Sequence, residues 1–212
     1  VIPNVLTLTD IERLRNTIAG PTEQFPPVPQ DEGPLHWDSI WRDLLDNPAI
    51  DPLLESLIGN PDLRHRRDRQ NRAAKPTYRL DHINVHTHVA KGFEGGILHG
   101  GWNGVSGFYR YDNGTLFNGL TTVSFELYDT TSNDGGFACI PGSHKANIPA
   151  PGRWLDLSKG VHPSITRVSA NAGDAIIFTE ALTHGTLPWH VDDPRSTVFY
   201  KFSPHTLSWS AD

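Results

Sequence analysis

Two histidines stand where a metal ion could be gripped. His99 lies in "EGGILHGGWNG", residues 94–104, a glycine-rich run that leaves the imidazole uncrowded. His184 ends "GDAIIFTEALTH", which reads as a β-strand opened by a Gly-Asp turn. A histidine at a strand end in a barrel mouth is placed as metal ligands usually are, and neutral imidazole suits iron, zinc or copper. The residue two places after His99, where a carboxylate would complete the commonest site of that kind, is Gly101. Arg195 follows His184 by eleven residues. Its planar fork could hold a small carboxylate with two hydrogen bonds, or pair at the surface with Asp192 or Asp193. HExxH, a GxSxG elbow and a phosphate loop are all absent from the sequence.

The elements that would carry these residues are mostly strands. In "TYRLDHINVHTHV", residues 77–89, Ile83, Val85 and Val89 fall on one face and His82, Asn84, His86 and His88 on the other. That polar row either lines a cavity or forms the wet face of a sheet. "LTTVSFELYD" puts Val123, Phe125 and Leu127 on one side. "GGFACIPG", "SITRVS" and "STVFYKFS" add further short strands, while "DNG" at 112–114 and "NDGG" at 133–136 read as hairpin turns. Several short strands with turn signals and no long helix after residue 59 predict an antiparallel barrel or jelly roll.

The first quarter reads helical. Thr9 stands three residues before Glu12 as a capping box, Ile11, Leu14 and Ile18 follow at helical spacing, and Gly20-Pro21 stops the helix. A proline-rich connector at 23–34 leads to "SIWRDLL" and "DPLLESLIG", where Asp51 can cap, Pro52 suits the first helical position and Gly59 closes. "RHRRDRQNR" at 64–72 reads as a solvated loop, or as a grip for an anionic substrate group.

Bulk composition narrows the class. A chain of 212 residues, 37% hydrophobic and 20% charged, is expected to be one soluble domain with its own core. No apolar run approaches the ~20 residues of a membrane span, and no leader pattern opens the chain. A net charge of −6 argues against nucleic acid as the main partner. The single cysteine, Cys139, excludes an intramolecular disulfide and a cysteine-rich zinc cluster. Cytoplasm is the default location. The sequence contains no methionine and no internal repeat.

"NDGGFACIPGSHKAN" (133–147), "AGDAIIFTEALTHGTLPW" (172–189) and Arg195 with "TVFYKFSP" together resemble the phytanoyl-CoA dioxygenase-like family. The resemblance spans roughly residues 77–205, and the helices of residues 1–60 are compatible with it as a layer packed on the barrel. It implies a single mainly β domain with N-terminal helices, a double-stranded β-helix of the jelly-roll, cupin-like kind. It also implies a non-haem iron(II) enzyme that uses 2-oxoglutarate as co-substrate. Position by position, His184 resembles the distal iron histidine, and Arg195 the residue that binds the far carboxylate of 2-oxoglutarate. His99 falls at the first histidine of the His-x-Asp motif, and Phe125 where an aromatic often flanks the co-substrate. His144 and Lys145 of the "PGSHK" turn are expected to be structural.

The sequence departs from that pattern at Gly101, where hydroxylases of the family present Asp or Glu. Three readings follow. In the first, a carboxylate arrives from elsewhere, Glu180 being the best candidate, with Asp129 and Asp134 weaker; the enzyme then hydroxylates a small organic substrate. Four strand residues span about 13 Å, so Glu180 would need a bulge or bend to reach a metal beside His184. Alternatively the gap is the design, as in related halogenases with Gly or Ala there, and chloride takes the vacant position. In the third reading the jelly roll binds a metabolite without catalysis. Asn84, His86 and Gly101 are candidate cavity-lining residues in each case.

Overall fold

The computed structural model describes residues 1–19, 33–59, 77–88, 91–100, 109–146 and 148–207. Gly20-Pro21, the arginine cluster at 64–72, Val89, Gly101 and the connector up to residue 32 lie outside the described residues. Among the described residues, three α-helices precede the first strand: α1 (Leu8–Ile18), α2 (Ile40–Asp43) and α3 (Asp51–Leu57). The capping box on α1 is formed by Thr7 and Asp10, two residues earlier than Thr9 and Glu12 suggest: Asp10 N–H donates to Thr7 Oγ1, and Thr7 N–H donates to Asp10 Oδ2. Both pairs fit the motif's spacing, and the earlier one lets the helix start two residues sooner, before Ile11 and Leu14 meet the core. In α3, Asp51 is the first helical residue rather than the cap, and its carboxylate accepts a hydrogen bond from the Tyr78 hydroxyl.

One antiparallel sheet runs in the order β1 (Tyr78–His88), β9 (Arg195–Pro204), β4 (Thr121–Glu126), β7 (Ala175–Thr179). The second runs β6 (Thr166–Arg167), β5 (Gly136–Cys139), β8 (His184–Leu187). On the far side of β8, His99 and His184 exchange two backbone hydrogen bonds of 2.8 Å. A separate hairpin, β2 (Tyr109–Asp112) and β3 (Thr115–Asn118), turns through Asn113-Gly114, both at positive φ, as "DNG" predicts. "NDGG" is different. It joins β4 to β5 and so carries the chain from one sheet to the other. From β4 onward every connection except β5–β6 crosses between the sheets, giving the jelly roll that the strand pattern predicts, open rather than closed into a barrel.

The largest apolar core lies outside the pair of sheets, where the helices cover the four-stranded sheet. Ile11, Leu14, Trp41 and Leu54 from the helical layer pack with Val123, Phe125, Leu127, Val198, Tyr200 and Phe202. Tyr200 also donates its hydroxyl to the Trp41 carbonyl at 2.7 Å. Strand alternation then turns Thr122, Ser124 and Glu126 of β4, and Arg195, Thr197, Phe199 and Lys201 of β9, toward the opposite face. β1 keeps the same division only because the register shifts between Leu80 and His82. Through this bulge the even-numbered Tyr78 and Leu80 and the odd-numbered Ile83 and Val85 all reach the core. His82, Asn84 and His86 are thereby directed between the sheets.

Candidate metal centre and the cavity beside it

The stretch "GDAIIFTEALTH" is not one strand. β7 ends at Thr179, the chain turns with Leu182 N–H donating to the Thr179 carbonyl at 2.9 Å, and β8 starts at His184. The bend that Glu180 needed is therefore present. Its Oε2 lies 3.6 Å from His184 Nε2. His99 reaches the same place because Gly100 packs directly on that turn: a Cβ on Gly100 would stand 2.1 Å from the Leu182 carbonyl oxygen and 2.9 Å from that of Glu180, and φ is +110°. One ligand atom from each of His99, Glu180 and His184 lies within 4.8 Å of the others.

Each imidazole is held in one tautomer. His99 Nδ1 lies 2.9 Å from the Ile97 carbonyl and His184 Nδ1 lies 2.7 Å from the Leu182 carbonyl. Nδ1 must carry the proton to bond a carbonyl, so both Nε2 lone pairs are left for a metal. Burial pushes the His184 ring below its ordinary pKa, outweighing the upward pull of Glu180 and of the Leu182 carbonyl. A neutral ring is what a metal requires. Burial would raise the Glu180 carboxyl, but His184, Lys201 and the Thr122 hydroxyl together hold it below its usual range. Thr122 Oγ1 donates to Glu180 Oε1 at 2.5 Å and Lys201 Nζ stands 2.9 Å from the same oxygen. One carboxylate oxygen is tethered, and the other faces the histidines. This donor set, two imidazoles and a carboxylate, suits non-haem iron(II).

Beside the three groups lies a cavity of about 350 Å³. Phe93, Phe137, Phe178 and Phe199 make its apolar wall, and His82, Asn84, His86 and Lys201 its polar one. Of the polar row of β1, His82, Asn84 and His86 face this cavity. Burial, then the charges of Arg195, Lys201 and His99, push the His86 ring below its ordinary pKa.

Arg195 does not line that cavity. It lies on the same face of β9, six residues before Lys201, and is 1% exposed. Its partner is the equally buried Glu126, with Nη2 3.4 Å from Oε2, and not Asp192 or Asp193. Nε and Nη1 have no hydrogen-bond partner among the described residues. Gly136 makes room for the guanidinium: a Cβ there would sit 3.2 Å from Arg195 Nε, and φ is +81°. A buried cation with two orphaned donors fits a carboxylate ligand, because leaving such donors unpaired is costly.

Phe125 does not belong to the site. It is fully buried on the helical side of β4, its ring edge-on to Tyr200 at 5.6 Å between centroids, because odd positions of β4 face the helices. Asp129 and Asp134 are also remote in role: each caps a turn, accepting from Ala172 N–H at 2.7 Å and Thr131 N–H at 2.6 Å. His144 and Lys145 lie in a short 3-10 turn whose Ser143 Oγ accepts from Thr183 N–H at 2.7 Å, which steadies the approach to His184. The sequence reading overlooked Thr122, Lys201 and Glu126. The alternation of "TTVSFE" carried a signal for two of them, since a strand with one apolar face presents Thr122, Ser124 and Glu126 on the other.

The profile of the phytanoyl-CoA dioxygenase (PhyH) family matches residues 1–197. The fold is similar to HygX from Streptomyces hygroscopicus, solved with nickel and 2-oxoglutarate bound, at TM-score 0.75 and 19% identity, covering 98% of this chain and 83% of that one. It is also similar to AviO1 from Streptomyces viridochromogenes (TM-score 0.63, 17% identity, 96% and 88% covered). The nickel complex of ThoJ, described as a non-heme monooxygenase, matches at TM-score 0.60 and 17% identity, with 96% and 72% covered.

Proposed function

The chain belongs to the phytanoyl-CoA dioxygenase family of non-haem iron(II)/2-oxoglutarate-dependent oxygenases, and we propose that within it His99, Glu180 and His184 hold the iron and that the reaction is hydroxylation of a small organic substrate. The observation that carries this reading is the mutual approach of the three ligand atoms to within 4.8 Å. With Glu180 in place, the carboxylate absent at position 101 is supplied from the turn before β8. That favours hydroxylation over halogenation, which needs the carboxylate's position left open.

When bound, iron and 2-oxoglutarate supply the oxidising chemistry, in which the co-substrate is decarboxylated to succinate as dioxygen is consumed. The protein's own part is binding and orientation. His99 and His184 offer Nε2, Glu180 offers Oε2, and Thr122 and Lys201 keep Oε1 turned away. Arg195 offers its unpaired donors to the far carboxylate of 2-oxoglutarate. The phenylalanines exclude water, while His82, Asn84 and His86 present hydrogen-bonding groups to a substrate. A cavity of about 350 Å³ suits a small molecule; a related structure, that of HygX, holds hygromycin B.

The test is succinate release with iron(II), 2-oxoglutarate and oxygen, together with equilibrium metal binding. The wild-type chain is expected to bind iron(II) and release succinate, and His184→Ala to do neither. Unchanged metal affinity in His184→Ala refutes the assignment.

A further inference from the structure

We propose that Glu126 is a specificity-determining residue of the co-substrate site: a buried carboxylate that shares Arg195 with the far carboxylate of 2-oxoglutarate and thereby restrains its affinity. The inference rests on the reading of Arg195 as the co-substrate's anchor.

Glu126 is fixed where it stands. Ser124 Oγ donates to its Oε1 at 2.6 Å, and Thr197 Oγ1 donates to its Oε2 at 2.9 Å. Arg195 Nη2 approaches Oε2 at 3.4 Å, and the two side chains are 1% and 2% exposed. The guanidinium therefore already carries one counter-charge while Nε and Nη1 lack any partner among the described residues. A second carboxylate arriving there satisfies donors but leaves two anions on one cation. Away from water that repulsion is screened far less than at a surface. Glu126 cannot swing aside without breaking its bonds to both hydroxyls. The consequence is a site whose hydrogen bonds favour the far carboxylate of 2-oxoglutarate and whose charge opposes it.

The experiment uses the nickel(II)-loaded full chain, titrated calorimetrically with 2-oxoglutarate and with pyruvate, a 2-oxo acid that lacks the far carboxylate. Glu126→Gln keeps size and one acceptor oxygen, turns the other oxygen into an amide donor that the Ser124 hydroxyl can accept by rotating, and removes the charge. It is expected to bind 2-oxoglutarate on the order of tenfold more tightly with pyruvate affinity unchanged. Weaker or unchanged 2-oxoglutarate binding, or an equal gain for pyruvate, overturns the proposal. Since Glu126→Gln also leaves Arg195 buried without its anion, its melting temperature is read with and without 2-oxoglutarate. The co-substrate should raise it more than it raises the wild type's; an equal or smaller rise, or failure to fold even with 2-oxoglutarate, counts against it. Arg195→Met is the separate control: unchanged 2-oxoglutarate affinity there removes the anchor reading itself rather than the role of Glu126.

Discussion

Glu180 and His184 face each other across a turn, Oε2 to Nε2 at 3.6 Å, although they are only four residues apart in what the sequence presents as one strand. The break between β7 and β8 converts a separation that would be about 13 Å along a strand into a shared site. On the proposed reading, a glycine two residues after His99 then does not leave the site short of a carboxylate.

Glu180→Gln is expected to lose more metal affinity than a change at a residue that only supports a ligand, for which roughly 10–100-fold is typical. Thr122→Val should fall within that supporting range, because it removes one of the two tethers on Oε1, leaving Lys201, without removing the carboxylate. Competition titration with iron(II) or cobalt(II) gives both values. Equal losses in the two variants contradict the assignment of Glu180 as the ligand and Thr122 as its tether.

Phe125→Ala separates the core from the site. The ring is fully buried among Tyr200, Val198 and the helical layer, so its removal should cost about 3–5 kcal/mol of stability. Metal and 2-oxoglutarate affinities of the folded fraction should stay within about twofold of wild type. Denaturant unfolding and calorimetry measure the two effects, and a selective loss of 2-oxoglutarate binding would return Phe125 to the co-substrate site.

The β architecture was legible because period-2 alternation in "HINVHTH" and "LTTVSFELYD" reports which face is buried. It does not report what buries that face. For Phe125 the partner is the helical layer formed by α1, α2 and α3, which no local pattern couples to β4. His99, His184 and Arg195 were singled out as candidates by their motifs, and their proposed roles came from the family resemblance rather than from spacing alone. Glu180 could be named as a candidate, but its placement depends on the turn at 180–183 and on Gly100 packing against it, both long-range outcomes. The Arg195–Glu126 pair joins β9 to β4, 69 residues apart, and only strand order brings them together.

Acidification should destabilise the metal-free protein. His184 is held below its ordinary value by burial, and in the unfolded chain it titrates near 6.5. Its contribution is therefore complete above that pH and is lost as the pH falls toward the depressed folded value. His86, depressed from the same reference mainly by burial, acts with the same sign. Glu180 also contributes in this sense, but only below its reference of 4.5. Melting temperatures of the metal-free chain between about pH 7.5 and 5.5 should decline with pH, and the decline should shrink in His86→Gln. A rise on acidification contradicts both shifts.

Gly100→Ala tests the packing that brings the ligands together. At φ +110° any side chain is strained, and its Cβ would stand 2.1 Å from the Leu182 carbonyl oxygen. The strain and the forced separation together should cost about 2–4 kcal/mol. The relief available to the chain is to push the His99 segment away from the Glu180–Leu182 turn, breaking the paired 2.8 Å backbone bonds between His99 and His184. Metal affinity should accordingly fall by at least about tenfold, although no ligand has been changed. Gly114→Ala is the matched control: its φ is +83°, it meets nothing within 4 Å, and it lies on the β2–β3 hairpin. It should lose stability without losing metal. If the two variants bind metal equally well, close packing at Gly100 is not what assembles the site.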